Sequence, residues 1–390
     1  MNSPTHTPLL SRRHCLILTG STLLTSHAGT AIAAETPLVA PITLTGSRVA
    51  LFVVINNSDP QLFALDTGGG ISLIRNELAQ KLNLRETRQA RFSAGGHDGA
   101  HPVYDADDVR YGGIVRQPHV LFGGMKNFGF GDGIAGSLAA GFLTTLSSEL
   151  DFEAREWRIW RHGGPDRGNR FTKLHSEIMQ AGPEGWSSYL YADATLNGQP
   201  LRFLLDTGSP SVVRLNHNQA VRFGLWSDDR PWVPVQNGGR LVRADSLIFG
   251  DTTFSRPLTF LLPPAKRNYS GTTENENGLI GLPTLRCFTL SADPREGILW
   301  VRRNTLPPPP ARYPMSGLWI DNHDETLTVL QVGTGSPAAQ AGIRPGDRIL
   351  NTTFAALLPL LRGDPGTIVP LTIESDGKRR DIPLQLQSYL

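Results

Sequence analysis

Two short phrases in this chain carry residues that could do chemistry together: Phe63-Ala64-Leu65-Asp66-Thr67-Gly68 and Phe203-Leu204-Leu205-Asp206-Thr207-Gly208. Their aspartates lie 140 residues apart, and the same offset carries Asn57 onto Asn197, Leu150 onto Leu290 and Trp160 onto Trp300. One Asp-Thr-Gly means little. Two copies, each after an apolar run and inside a longer self-similar stretch, mean a duplicated unit. Two equivalent carboxyls that share one proton can hold a water between them. One takes the water's proton while the other donates to a carbonyl oxygen, which is what hydrolysis of an amide requires. Like charges at hydrogen-bond distance do not both ionise cheaply, so the two titrations of such a pair split. The approach needs tight turns, for which Gly68 and Gly208 supply backbone freedom. It also needs fixed loops, for which Thr67 and Thr207 offer hydroxyls.

The elements that must position these residues read as short strands. Alternating apolar runs at Val49 to Ile55 and Tyr189 to Leu196 each lead through an Asn-containing turn into the run that ends at an aspartate. With many glycines and prolines and few long periodic stretches, this predicts a mainly β fold in two lobes. The expected boundaries are 37–163 for lobe one and 183–304 for lobe two, with a Gly-containing junction between them. Pro307 to Pro310 sit in a stiff linker at 305–312. Residues 313–390 then read as a small α/β unit: strand, short helix, strand, a helix from Phe354 to Arg362, and a hairpin turning at Asp376-Gly377.

Residues 1–34 read as an export signal. Arg12-Arg13 precede an apolar stretch from Cys15 to Leu24, and Ala31-Ile32-Ala33 provides an A-x-A cleavage signal. The paired arginines fit a twin-arginine leader, with a general secretory signal as the alternative, and the periplasm is the expected destination. Cleavage would remove two arginines and no acid, bringing the formal charge from +2 to zero. That balance excludes a nucleic-acid partner. It would also leave Cys287 as the only thiol, so neither an internal disulfide nor a cysteine metal site is expected. The histidines show no metal-ligand spacing. No cofactor and no metal are expected, and nothing after the leader is long and apolar enough for a membrane helix.

On these motifs residues 37–304 resemble the retropepsin and pepsin superfamily of aspartic proteases, in the bacterial single-chain form with two fused lobes. That family places an apolar-apolar-Gly element late in each lobe, matched by Ile134-Ala135-Gly136 and Leu279-Ile280-Gly281. A short helix follows, expected at Ser137 to Leu146 and Leu282 to Cys287, then a closing strand at Trp157 to Trp160 and Ile298 to Val301. The resemblance implies Asp66 and Asp206 as the catalytic dyad, with Thr67, Gly68, Thr207, Gly208 and Ser209 in support. It also implies glycine-rich flaps over the cleft, with Gly95, Gly96 and His97 in lobe one and Gly238 and Gly239 in lobe two. Gly69 departs from the family, which usually has Ser, Thr or Ala where lobe two has Ser209, and this implies that the two aspartates are inequivalent.

The C-terminal unit resembles a PDZ domain of bacterial envelope proteases. Ser336-Pro337-Ala338-Ala339 and Ala341-Gly342-Ile343-Arg344-Pro345-Gly346-Asp347 carry the likeness. Gly317, Leu318, Trp319 and Ile320 match the carboxylate-binding loop, which would capture a peptide C-terminus. The sequence therefore predicts an exported aspartic endopeptidase that acts on polypeptides and has a PDZ domain for recruitment or regulation. The alternative is a catalytically inactive, protease-like adaptor that binds envelope polypeptides.

Overall fold

The computed structural model describes residues 35–390 apart from 46, 95–96, 127–128, 132, 181–185 and 265–276. The leader assigned to residues 1–34 lies outside the described residues. The remainder is mainly β, as expected, and built twice over. Each lobe opens with a hairpin, Val49–Ile55 against Gln61–Asp66 and Ser188–Leu196 against Gln199–Asp206. Asn56, Asn57 and Asn197 take left-handed backbone at their turns, a conformation asparagine adopts at low cost. The three residues before each aspartate are buried, so each motif emerges from the core at the end of a strand.

The later apolar-Gly elements explain how each motif is braced. Gln61–Asp66 runs parallel to Gly136–Ala139, and Gln199–Asp206 runs parallel to Gly278–Gly281. On their other edges these two strands pair antiparallel with Leu73–Arg75 and Val213–Leu215. The helix expected from Ser137 to Leu146 is shorter than predicted. Ser137 to Ala139 are drawn into the parallel ladder beside Ala64 to Asp66, and Ser147–Asp151 is a strand, which leaves a helix only at Gly141–Thr144. In lobe two the helix spans Leu282–Leu285, with Pro283 in its first turn.

One sheet joins the lobes. Its order is Leu38–Pro41, Glu156–Trp160, Ser147–Asp151, Phe288–Asp293, Ile298–Arg303 and Thr172–Lys173. At its centre Ser147–Asp151 pairs antiparallel with Phe288–Asp293, and Leu150 faces Leu290, its own counterpart 140 residues on. A local twofold axis therefore passes between these two leucines. Both are fully buried, each contributing about 2 kcal/mol by leaving water. The core around them is continuous across both lobes. Buried acids in this sheet are paired: Asp151 with Arg158 at 3.1 Å, and Asp293 with Arg295 at 3.0 Å.

The C-terminal unit has its own core and a five-stranded sheet: Leu318–His323, Thr326–Val332, Arg348–Leu350, Ile368–Ser375 and Lys378–Gln385. The expected first strand is thus a hairpin, turned by Asp324 and Glu325 in left-handed conformation. Ser336 and Thr353 cap the helices Pro337–Gln340 and Phe354–Leu361 by accepting backbone N–H groups. The unit is docked on lobe two. The Trp232 amide donates to the Thr334 carbonyl at 3.3 Å, and the Tyr389 hydroxyl donates to the Trp232 carbonyl at 3.1 Å. The Tyr313 hydroxyl accepts from the amides of Tyr389 and Leu390, and Val233, Leu258 and Tyr313 form the apolar centre of the contact.

Candidate active site

The two Asp-Thr-Gly loops meet across the local twofold axis. Thr67 and Thr207 are buried and interlock reciprocally. The Thr67 hydroxyl donates to the Leu205 carbonyl at 2.6 Å, and the Thr207 hydroxyl donates to the Leu65 carbonyl at 2.7 Å. Each hydroxyl also accepts the other threonine's amide, Thr207 N–H to Thr67 Oγ1 at 2.9 Å and Thr67 N–H to Thr207 Oγ1 at 3.1 Å. Four bonds thus tie the loops at the point where the strands end.

The glycines set the closeness of the carboxyls. A β-carbon on Gly68 would lie 2.4 Å from Cγ of Asp206, and one on Gly208 would lie 2.4 Å from Oδ1 of Asp66. Each glycine thus touches the opposite carboxyl, where no other residue type fits. Its amide also serves its own lobe's acid: Gly68 N–H donates to Asp66 Oδ1 at 3.2 Å and Gly208 N–H to Asp206 Oδ1 at 2.9 Å.

The two carboxyls are chemically unequal. Burial raises Asp66 well above the usual carboxylate range, and the charge of Asp206 and a hydrogen bond donated to it push in the same direction. Burial also raises Asp206. Against it act the charge of Arg214, the amides of Gly208 and Ser209, and the proton offered by Asp66. The pair therefore retains one proton between its two carboxyls above the usual carboxylate range. The amides of Gly69 and Ser209 occupy equivalent places, donating to the backbone carbonyls of Asp66 at 3.1 Å and Asp206 at 3.2 Å. At Gly69 a β-carbon would sit 3.3 Å from Asp66 Oδ2, in a tight fit.

In lobe one a long hairpin pairs Arg85–Ala94 with His97–Tyr111. Gly95 and Gly96 fall outside the described residues, and His97 begins the second strand. Two residues before the first strand of this hairpin ends, Phe92 packs edge-on against Trp186, with ring centroids 6.3 Å apart. In lobe two the corresponding hairpin is short, Val233–Val235 against Gly239–Arg243, with Gly238 left-handed in its turn. Asp105 and Asp108 pair with arginines: Asp105 with Arg85 at 2.7 Å, and Asp108 with Arg116 at 2.6 Å. His119 and Asp107 join the exposed end of this cluster.

In the C-terminal unit Gly317, Leu318, Trp319 and Ile320 lead into the strand at one end of the sheet. The Leu318 amide is taken by the Ser316 hydroxyl at 3.2 Å, and the Gly317 carbonyl accepts from the Gly333 amide at 2.8 Å. Among the described residues the free side of Leu318–His323 has no strand partner.

Sequence reasoning missed three features. Arg48 lies beside the dyad, Ser187 bonds to Gly70 and Gly141 of lobe one, and Tyr389 fastens the C-terminal unit to lobe two. Only Arg48 carried a signal: it is a charge next to the first strand of lobe one, and its counterpart under the 140-residue offset is the neutral Ser188.

A family model described as a PDZ domain matches residues 328–351. Among solved structures the chain is similar to the aspartic proteinase from Irpex lacteus, at 12% identity and a TM-score of 0.45, covering 69% of this chain and 98% of that one. No curated protein matches the chain.

Proposed function

We propose that this chain is an exported, retropepsin-like aspartic endopeptidase whose PDZ domain recruits or regulates polypeptide substrates. One observation carries the reading: two buried carboxyls, both raised above the usual carboxylate range, are held against each other by loops that interlock through Thr67 and Thr207. A water between them meets a base in Asp206 and an acid in Asp66. Asp206 takes the water's proton as its oxygen bonds to the peptide carbonyl carbon, and Asp66 donates its proton to the carbonyl oxygen. The tetrahedral adduct then collapses. The proton on Asp206 passes to the departing nitrogen, the C–N bond breaks, and a hydroxyl of the adduct returns its proton to Asp66 as the carbonyl reforms, so the dyad ends as it began.

Substrate lies extended between the lobes, beneath the hairpin of Arg85–Ala94 and His97–Tyr111. The open side of Leu318–His323 supports strand addition by a peptide, whose terminal carboxylate would meet the loop that begins at Gly317. The arginine pair and Ala-x-Ala site of residues 1–34 support export to the periplasm.

The test is cleavage of a diverse peptide library by the mature protein from acid to neutral pH, beside Asp206→Asn. Cleavage by wild type alone supports the proposal and yields the specificity. Absence of cleavage by either, with retained peptide binding, replaces the enzyme with an adaptor.

A further inference from the structure

Arg48 is a half-buried cation placed against the dyad, and among the described residues no carboxylate lies at contact distance. Its Nη1 donates to the carbonyls of Ser47 at 2.9 Å and Gly208 at 3.3 Å, and its Nη2 donates to the Gly129 carbonyl at 3.1 Å. The guanidinium carbon lies 5.0 Å from the ring centroid of Phe130. Its Nε is buried with no hydrogen-bond partner among the described residues. Desolvating a guanidinium in this way is costly unless charge nearby offsets it. Asp66 and Asp206 supply that charge, since both favour the cation.

The bond to Gly208 gives Arg48 mechanical reach. Gly208 donates its amide to Asp206 and presses its α-carbon against Asp66, so the peptide that Arg48 holds touches both carboxyls. The position related to Arg48 by the 140-residue offset is the neutral Ser188. There Ser187 approaches lobe one, its amide donating to the Gly70 carbonyl at 2.7 Å and its hydroxyl accepting from Gly141 at 2.8 Å.

We propose that Arg48 is a positioning residue of the dyad: its fork clamps the lobe-two catalytic loop through Gly208, and its charge draws the pair's one-proton state toward lower pH. The inference rests on the proteolytic reading for its kinetic part and on geometry for the rest. Among the described residues the charges acting on Asp66 include Asp206 and Arg48, those acting on Asp206 include Arg214, and Arg48 in turn is favoured by both carboxyls. Removing a cation from this set raises both macroscopic titrations of the pair.

The experiment follows the carboxyl carbons of 13C-labelled aspartate by NMR across pH, in wild type, Arg48→Gln and Arg48→Lys, with Asp66→Asn and Asp206→Asn spectra for assignment. Peptide cleavage is measured on the same samples. Arg48→Gln is expected to move both dyad titrations, and both limbs of the pH–rate profile, to higher pH. Arg48→Lys is expected to keep the wild-type titrations while kcat falls by about tenfold or more at unchanged KM, because a point charge replaces the fork. Dyad titrations in Arg48→Gln that overlay the wild type overturn the role of the charge. A lysine variant with wild-type kcat overturns the clamp. If Arg48→Gln does not fold, the lysine variant decides alone: shifted titrations there refute the proposal. Moved titrations in a protein that cleaves nothing would leave Arg48 as the dyad's positioning residue and discard the protease.

Discussion

Replacing Thr207 by valine tests whether the loops are held as the geometry indicates. Valine keeps the shape and removes the hydroxyl, so little cavity forms. Two buried backbone groups lose their partners: the Leu65 carbonyl, now bonded at 2.7 Å, and the Thr67 amide, now bonded at 3.1 Å. Each unpaired buried group costs about 1–3 kcal/mol, so the substitution should cost about 2–6 kcal/mol. Against a native stability of about 5–15 kcal/mol this is a large fraction, readable as a lower urea midpoint. The twofold relation makes a second demand. Thr67→Val removes bonds of 2.6 and 2.9 Å, nearly the same set, and should cost nearly the same. Thr207→Ser keeps all four bonds and should lie within about 1–1.5 kcal/mol of wild type, the value of one buried methyl group. Displaced carboxyls should also cost on the order of 100-fold in kcat. A valine variant that unfolds at the wild-type midpoint and retains its turnover would refute the interlock as the element that holds the site.

Further outcomes follow from the same geometry. Asp66 has a raised pKa in the folded protein, so the protonated form is favoured on folding: its stabilising effect is complete below the unfolded carboxylate's pKa and is lost as pH rises through the folded value. Asp66→Asn should therefore melt higher than wild type at neutral pH while losing cleavage, and the gain should vanish in acid. Gly68→Ala would drive a methyl to 2.4 Å from Cγ of Asp206, and activity should fall by at least the effect of Thr207→Val, as measured by kcat/KM. Tyr389→Phe removes the bond to the Trp232 carbonyl, leaving a partly buried acceptor short of a donor. Limited proteolysis of that variant should cut the 305–312 linker faster, because the C-terminal unit detaches more often.

Much of the site was legible because duplication is a pattern of identities. Matching Asp-Thr-Gly runs, matching apolar-Gly elements and matching Trp160 and Trp300 needed no knowledge of packing. The PDZ-like unit was legible for a similar reason, since its Gly, Pro and Asp positions fix turns that few sequences share. The shared sheet was not legible. The pairing of Leu150 with Leu290 joins strands whose apolar patterns would suit many partners, and only the twofold relation selects this one. The overlong helix prediction after Gly136 has a related cause. Small residues such as Ser137 and Ala139 suit a helix locally, but the parallel ladder beside Asp66 claims them. The setting of Arg48 depends on three carbonyls from separate segments, and no local window contains that information.

The sheet that crosses the twofold axis also governs how the protein responds to dilution. Were the lobes separate molecules, the pairing of Ser147–Asp151 with Phe288–Asp293 would be a bimolecular event, and the active fraction would fall as the protein was thinned. A covalent connection replaces encounter with an intramolecular search, at an effective concentration of about millimolar for short connections. Specific activity should therefore be flat from micromolar protein down to the detection limit. A lobe released on its own would bear a naked edge strand, and its nearest complement would be another copy of itself.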